Sequence, residues 1–373
     1  MTLQVMLQRF GWSDRIAPHF LPYAALGYRA ARVAQMHRGL YQLYTEVGEC
    51  FAEVSGKFRH QAAGPRDFPA VGDWVAISLP AHSGLNPATE QGAESQHAII
   101  HAVLHRHSEF VRKAAGSKTE EQVLATNVDT AFLMTGLDHD WNVRRVERYL
   151  TLVWDSGASP VIVLNKMDRC EAVSDRMAEL ESIALGVPIV PISALYDQGI
   201  EALQLYLQPG KTVVLLGSSG VGKSTLANQL LGQSVQATQS VRAADSRGRH
   251  TTTGRSLLVL PSGALLLDTP GMRELQLWTA DDGLNQAFED IDELATQCRF
   301  RDCCHEHEPG CAVQQAIANG ILDAHRLANY HKLQSELAYL ARRQDQQAQL
   351  AEKQRWKQIH KQLRSHPKLK RDC

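Results

Sequence analysis

Between Arg32 and Ala115 the chain alternates apolar and polar positions in short runs broken by turn residues. Leu40, Gln42, Leu43 and Tyr44 follow a turn at Arg38-Gly39, and CFAEVSGKF and VGDWVAI keep the same rhythm. Such alternation marks strands with one buried face. The Gly-, Ser-, Asn-, Gln- and Glu-rich stretch from Pro80 to His97 reads as a loop between strands. About five short strands in about eighty residues predict a small closed β-barrel of the OB type, although the periodicity alone equally allows an SH3-like barrel.

After Glu120 the pattern changes. VDTAFLMTG, SPVIVLNK, VPIVPIS and KTVVLLG are apolar runs of strand length, with helix-compatible segments at Val143–Trp154, Ala172–Leu185 and Gly199–Leu207. Apolar strands alternating with helices predict a parallel sheet buried on both faces, an α/β architecture. RSLLVLPSGALLLD, with Pro261-Ser262-Gly263 between two apolar runs, predicts a hairpin. Beyond Leu277 the chain turns helical, carries a Cys/His insertion and ends in a Gln-, Lys- and Arg-rich helix.

At 373 residues the chain exceeds one comfortable core, so two or three domains are expected. Hydrophobic residues at 44% and charged residues at 21% exclude general disorder, collagen and a coiled-coil rod. No run approaches the ~20 apolar residues that span a bilayer, and no membrane partner is expected. Met1–Phe10 lacks a basic region followed by a long apolar run, so a cytoplasmic protein is expected. The net charge of −1 conceals an asymmetry: from Ala341 to Cys373 ten Lys/Arg face three Asp/Glu, a tail of +7 on a body of −8. That tail fits a basic arm reaching for a polyanion, or a solvated helix face. Four of the seven cysteines (Cys298, Cys303, Cys304, Cys311) crowd one short window with His305 and His307, which reads as a metal site in a reducing compartment. Thiolates and imidazoles in that number suit structural Zn²⁺.

Gly217-Ser218-Ser219-Gly220-Val221-Gly222-Lys223-Ser224 matches the phosphate-binding loop G-x-x-x-x-G-K-S, entered by the strand TVVLLG and left by a helix that continues through Thr225. Its glycines let backbone N–H groups curl around phosphate oxygens. Lys223 would reach the β- and γ-phosphates and Ser224 would hold Mg²⁺. Asp268-Thr269-Pro270-Gly271 ends the strand ALLLD, where Asp268 can organise the metal through water and the Gly271 N–H can sense a γ-phosphate. Asn165-Lys166-Met167-Asp168 follows PVIVL. The Asp168 carboxylate can accept from the N1–H and exocyclic amine of guanine, Asn165 can reach the N7 side, and the Lys166 stem can cover the ring. Ser193-Ala194 can offer a backbone N–H to guanine O6. Together these select GTP over ATP and argue against a phosphate-loop ATPase or kinase. The guanine motif precedes the phosphate loop, the reverse of the usual order, so the domain is read as circularly permuted.

With NKMD, GSSGVGKST, RGRHTTT, DTPGMRE and a Cys/His knot in that order, the sequence resembles the small-ribosomal-subunit biogenesis GTPases, from about Arg32 to about Leu340. The resemblance implies an N-terminal OB domain, a central permuted GTPase and a C-terminal zinc domain. The expected division is an extension over 1–31, an RNA-binding OB domain over 32–117, the GTPase over 118–290, a helical zinc domain over 291–340 and a basic tail over 341–373. It also implies one zinc on Cys298, Cys303, His305 and Cys311, with Cys304 and His307 as spares. Mg²⁺ with GTP would be completed by Thr252 or Thr253. Met272 stands where many GTPases carry a water-orienting Gln, and His250 is the local candidate for that role. The implied function is GTP hydrolysis to GDP, stimulated by the 30S subunit and supporting its late maturation, by a monomer that touches 16S rRNA. The rival reading is an rRNA-binding chaperone that uses GTP as an affinity switch. For RNA, Lys57, Arg59, Tyr41 and Phe58 on the barrel, Arg106, Arg112 and Lys113 after it, and Lys353, Arg355, Trp356, Lys357, Lys361 and Arg364 in the tail are available.

Overall fold

The computed structural model describes residues 3–37, 39–79, 97–113, 121–232, 255–268, 281–339 and 341–342. Five early strands close on themselves: β1 (Arg29–His37), β2 (Leu40–Thr45), β3 (Gly48–Val54), β4 (Trp74–Ser78) and β5 (His97–Val103). Their order is β1-β2-β3-β5-β4, and β4 pairs back to β1. β3 and β5 run parallel while every other neighbour is antiparallel. This is the OB-type barrel, not the SH3-like alternative. Its interior is the buried half of the alternation: Val33, Leu43, Ala52, Val75, Ile77 and Ile100. Tyr41 belongs there too, at 3% exposure, so its ring fills the barrel and is not offered to a base. Phe58 is half-buried, whereas Lys57 and Arg59 are exposed on α3 (Gly56–Gln61).

The second sheet places β10 (Ile189–Pro191), β9 (Ser159–Asn165), β8 (Thr130–Gly136), β11 (Thr212–Gly217) and β13 (Leu265–Asp268) side by side and parallel. β12 (Ser256–Val259) completes the expected hairpin with β13, antiparallel. Each residue of β8 is buried because both faces are covered. Ala131 and Leu133 face the side of α4 (Val143–Ser156), while Phe132 and Met134 pack with Leu226 and Ala227 of α6 (Lys223–Leu231). Asn142 caps α4 by accepting from the Arg145 N–H, and Gly157, at φ 82°, ends it. The second expected helix is α5 (Val173–Glu181), and the third is a 3₁₀ turn over Ile200–Leu205.

Two connections were not legible in the pattern. β12 also pairs with β1, at Gln35 and Ser256, so barrel and α/β sheet share one ladder of strands. A small hairpin of β6 (Glu109–Lys113) and β7 (Glu121–Thr126) lies beside them. The N-terminal segment, with α1 (Leu3–Gln8) and α2 (Ala17–Ala24), buries Leu7, Phe10 and Ile16 in the same cluster as Trp74 and Leu124. Phe10 stacks on Tyr44 at 4.5 Å and Trp12 meets Trp74 edge-on at 4.9 Å.

After the sheet come α7 (Asp281–Ala287), α8 (Glu289–Ala295), α9 (Ala312–Ala318) and α10 (324–339). Phe288, Ile291, Val313, Leu327 and Leu333 bury against the α4 side of the sheet. Among the described residues no helix is long and apolar enough to cross a membrane.

Candidate active site and metal centre

Parallel α/β sheets bind ligands beyond the carboxyl ends of their strands. Here those ends bring together Asn165 at the end of β9, Ser193 and Ala194 after β10, Gly217 at the end of β11 with the loop to Gly222, and Asp268 at the end of β13. Asn165 joins them. Its Nδ2 donates to the Val221 carbonyl at 2.7 Å and its Oδ1 accepts from the Ala194 N–H at 2.9 Å. Gly222 sits at φ 106° against this amide, and a Cβ there would collide with Asn165 Nδ2. The loop glycine is therefore required both by its backbone and by its neighbour.

Lys223 opens α6 and donates to the carbonyls of Gly217 (2.7 Å) and Ser218 (2.5 Å), holding its ammonium inside the curl of the loop. Ser219, Gly220, Ser224 and Thr225 complete the loop and the first turn of α6. Asp168 accepts from the Ser193 hydroxyl at 2.6 Å, which ties its carboxylate to the turn after β10. Lys166 adopts a left-handed backbone at φ 68°.

Two carboxylates that sequence reasoning missed complete the arrangement, both in the turn between β8 and α4. Asp138 accepts from Lys166 Nζ at 2.7 Å. Asp140 accepts from the Ser218 hydroxyl and, through its other oxygen, from Arg145 at 2.7 Å. Partial burial alone would raise both carboxyls. The Lys166 ammonium and the Asp140 N–H hold Asp138 below the usual range, and the Arg145 and Ser218 hydrogen bonds do the same for Asp140. Their position at the carboxyl end of a fully buried parallel strand was the signal that could have found them.

His250, Thr252, Thr253 and Gly271 lie outside the described residues, as do the tail residues from Lys353 to Arg364. Of the basic residues assigned to RNA, Arg106 is tied to Asp73 at 2.8 Å and to Glu109 at 3.2 Å, and Arg112 donates to Gln122 at 3.1 Å. Arg106 thus serves the barrel-to-hairpin junction, and Arg112 bonds across the β6–β7 hairpin itself.

In the second centre, one ligand atom each from Cys298, Cys303, His305 and Cys311 all lie within 4.8 Å of one another. His305 Nδ1 is 3.6 Å from Cys298 Sγ and 3.5 Å from Cys311 Sγ, and the two sulfurs are 3.9 Å apart. Tetrahedral zinc with bonds of about 2.3 Å to S and about 2.0 Å to N has S···S edges of about 3.8 Å and S···N edges of about 3.5 Å. The spacing therefore fits that ion. Cys304 turns its sulfur toward the Asp302 carbonyl at 3.7 Å, and His307 is exposed. Glu308 accepts the N–H groups of Cys304, Glu306 and His307, shaping the loop between ligands, and these bonds hold its carboxyl at about 2.

A family model described as RsgA GTPase matches residues 103–278. The chain is 47% identical over 364 residues to a protein of Opitutus terrae named small ribosomal subunit biogenesis GTPase RsgA, covering 97% of this chain and 98% of that one. The chain belongs to the RsgA GTPase family. A second such protein, from Lactiplantibacillus plantarum, is 48% identical over 86% of this chain and 87% of its own. The crystal structure of YjeQ from Thermotoga maritima superposes with a TM-score of 0.61 at 30% identity, covering 83% of this chain and 99% of that one. YloQ, described as a circularly permuted GTPase, shares the fold, with a TM-score of 0.59 at 24% identity over 83% of this chain and 95% of its own. An ABC transporter model also matches residues 200–371. That stretch contains the phosphate loop but excludes Asn165 to Asp168 and Ser193-Ala194, the residues expected to meet the base. As an RsgA-family GTPase, the chain is a GTP-hydrolysing enzyme with a permuted order of motifs.

Proposed function

We propose that this GTPase binds the 30S ribosomal subunit, assists its late maturation, and hydrolyses GTP faster when bound to it. The observation that carries the nucleotide reading is the double hydrogen bond of Asn165, which ties the phosphate loop to the Ser193-Ala194 turn beside Asp168. The base would lie against Asp168 and the Lys166 stem, beside the Ala194 N–H that Asn165 Oδ1 holds in this structure. The phosphates would lie in Gly217 to Gly222, with Lys223 compensating their charge and Thr225 in the first turn of α6. Mg²⁺ would be held by Ser224 and by Thr252 or Thr253, with Asp268 acting through water and Gly271 contacting the γ-phosphate. Bound Mg²⁺ supplies charge neutralisation between the β- and γ-phosphates. His250 would orient the attacking water in place of the missing glutamine.

Zinc on Cys298, Cys303, His305 and Cys311 would be structural, because four protein ligands leave no open position. The relatives' names supply the small-subunit partner, and the basic tail supplies a means of holding 16S rRNA through phosphates. We place the protein in the cytoplasm as a monomer.

GTP turnover measured alone, with 30S and with 50S subunits tests this reading. Strong stimulation by 30S only is expected. Turnover indifferent to 30S, with nucleotide-dependent 30S affinity, would instead favour an RNA chaperone that uses GTP as a switch.

A further inference from the structure

The turn 137–142 is short, yet it touches both halves of the nucleotide cradle. Asp138 holds the Lys166 ammonium at 2.7 Å, and its other oxygen accepts the Asp140 N–H at 3.1 Å, which stiffens the turn. Asp140 holds the Ser218 hydroxyl of the phosphate loop and is braced by Arg145 from the first turn of α4. A second set of contacts leaves the same helix for the C-terminal helices. Arg144 reaches Asp323 at 2.9 Å, Glu147 takes Arg326 at 2.8 Å and Asn329 at 2.6 Å, and Arg148 forms a two-pronged pair with Glu336 at 2.7 Å. One 14-residue helix therefore carries nucleotide-site carboxylates at its entry and the seat of α10 along its next turns.

We propose that Asp138 and Asp140 are positioning residues through which the seating of α10 on α4 sets nucleotide affinity. The inference rests on the nucleotide-site reading above. A helix is stiff along its axis, so tilting α4 when α10 shifts moves the turn at its N-terminus as a unit. The Asp140–Ser218 bond then changes the curl of the phosphate loop, and the Asp138–Lys166 pair changes the cover over the base. The two acids act on different parts of the ligand: Asp140 on the phosphates, Asp138 on the base. This gives the C-terminal domain a covalent and hydrogen-bonded route into the site that is separate from the segment after Asp268.

The test uses the full chain and a fluorescent GDP. Asp140→Ala should weaken GDP about tenfold, within the range of coupled sites. Glu336→Ala, at the far end of the route, should weaken it about threefold. The double variant should bind no worse than Asp140→Ala alone, because a relay already cut cannot be cut again. Asp138→Ala should lower the preference for GDP over ADP, a readout that a purely structural residue would not move. If Asp140→Ala fails to fold, Ser218→Ala removes the same bond from the other side and should give the same tenfold loss, which no helper structure would mimic. Unchanged GDP affinity in the Asp140 or Ser218 variant, or strict additivity with Glu336→Ala, overturns the relay. Lys223→Ala serves as the control. If it binds GDP normally, the nucleotide-site reading itself fails, whereas its loss alongside a normal Asp140→Ala sinks only the relay.

Discussion

Arg326 of α10 donates to Glu147 of α4 at 2.8 Å, and neither side chain is open to solvent. A buried ion pair stabilises only when its remaining polar atoms are also satisfied. Here they are: Arg326 forks onto both oxygens of Asp290 at 2.6 Å and donates to the Ala287 carbonyl at 3.0 Å, while Glu147 also takes Asn329 and Arg144. Burial would lower the Arg326 pKa, but the hydrogen bonds and charge of Asp290, with Glu147, raise it. Arg326→Ala takes a partner from both acids, leaving the fully buried Glu147 with only Arg144 and Asn329, and should cost about 3–5 kcal/mol in urea unfolding. Arg148–Glu336, with side chains 29% and 31% exposed, is the internal comparison. Its removal should cost under about 1 kcal/mol.

A second buried arginine joins the barrel to the α/β sheet. Arg32 on β1 donates to the carbonyls of Phe10 (2.5 Å), Gly72 (3.1 Å) and Asn127 (3.0 Å) and to the Thr212 hydroxyl at 2.9 Å. Burial pushes its guanidinium down to about 10, against the opposing pull of Asp129 and Asp73, so it stays charged at neutral pH. The planar fork alone can address four acceptors in different directions. Arg32→Lys keeps the charge but leaves several of these oxygens unpaired. A loss of about 2–4 kcal/mol in unfolding free energy is therefore expected, despite the conserved sign.

These two arginines also mark where sequence reading stops. The barrel, the parallel strands and the cysteine knot follow from local periodicity and from motifs of fixed spacing, and each appears where the pattern placed it. Arg32 and Arg326 look like ordinary surface charges in one dimension. Their burial depends on elements 180 residues apart in the first case and 179 in the second. The same holds for β1 pairing with β12, since nothing local to Gln35 or Ser256 announces a partner. Asp138 and Asp140 fall between these cases. Their place after a buried strand was readable, but their partners Lys166 and Ser218 were not.

The metal centre makes a discriminating pair of substitutions available. Cys311 lies inside the cluster, 3.5 Å from His305 Nδ1, whereas Cys304 points away from it. Cys311→Ser should lose bound zinc in elemental analysis and lower the unfolding temperature of the C-terminal helices. Cys304→Ser should retain one zinc per chain. Equal zinc content in both variants would contradict the ligand assignment.

Guanine recognition can be tested at one atom. Asp168 accepts the Ser193 hydroxyl through Oδ1 at 2.6 Å. Asp168→Asn keeps an oxygen there for Ser193, so the turn after β10 should hold its shape and the variant should fold. The other position changes from an acceptor to an amide donor, which opposes the N1–H and amine of guanine and complements the O2 of xanthine. Loss of a paired acceptor, with a donor facing a donor, should reduce GDP affinity by at least about a hundredfold. Xanthosine diphosphate should gain over the same step, because its base now meets a complementary group. Competitive displacement of a fluorescent nucleotide measures both constants on one sample. A variant that loses GDP without gaining the xanthine nucleotide would show that Asp168 holds the turn and does not read the base.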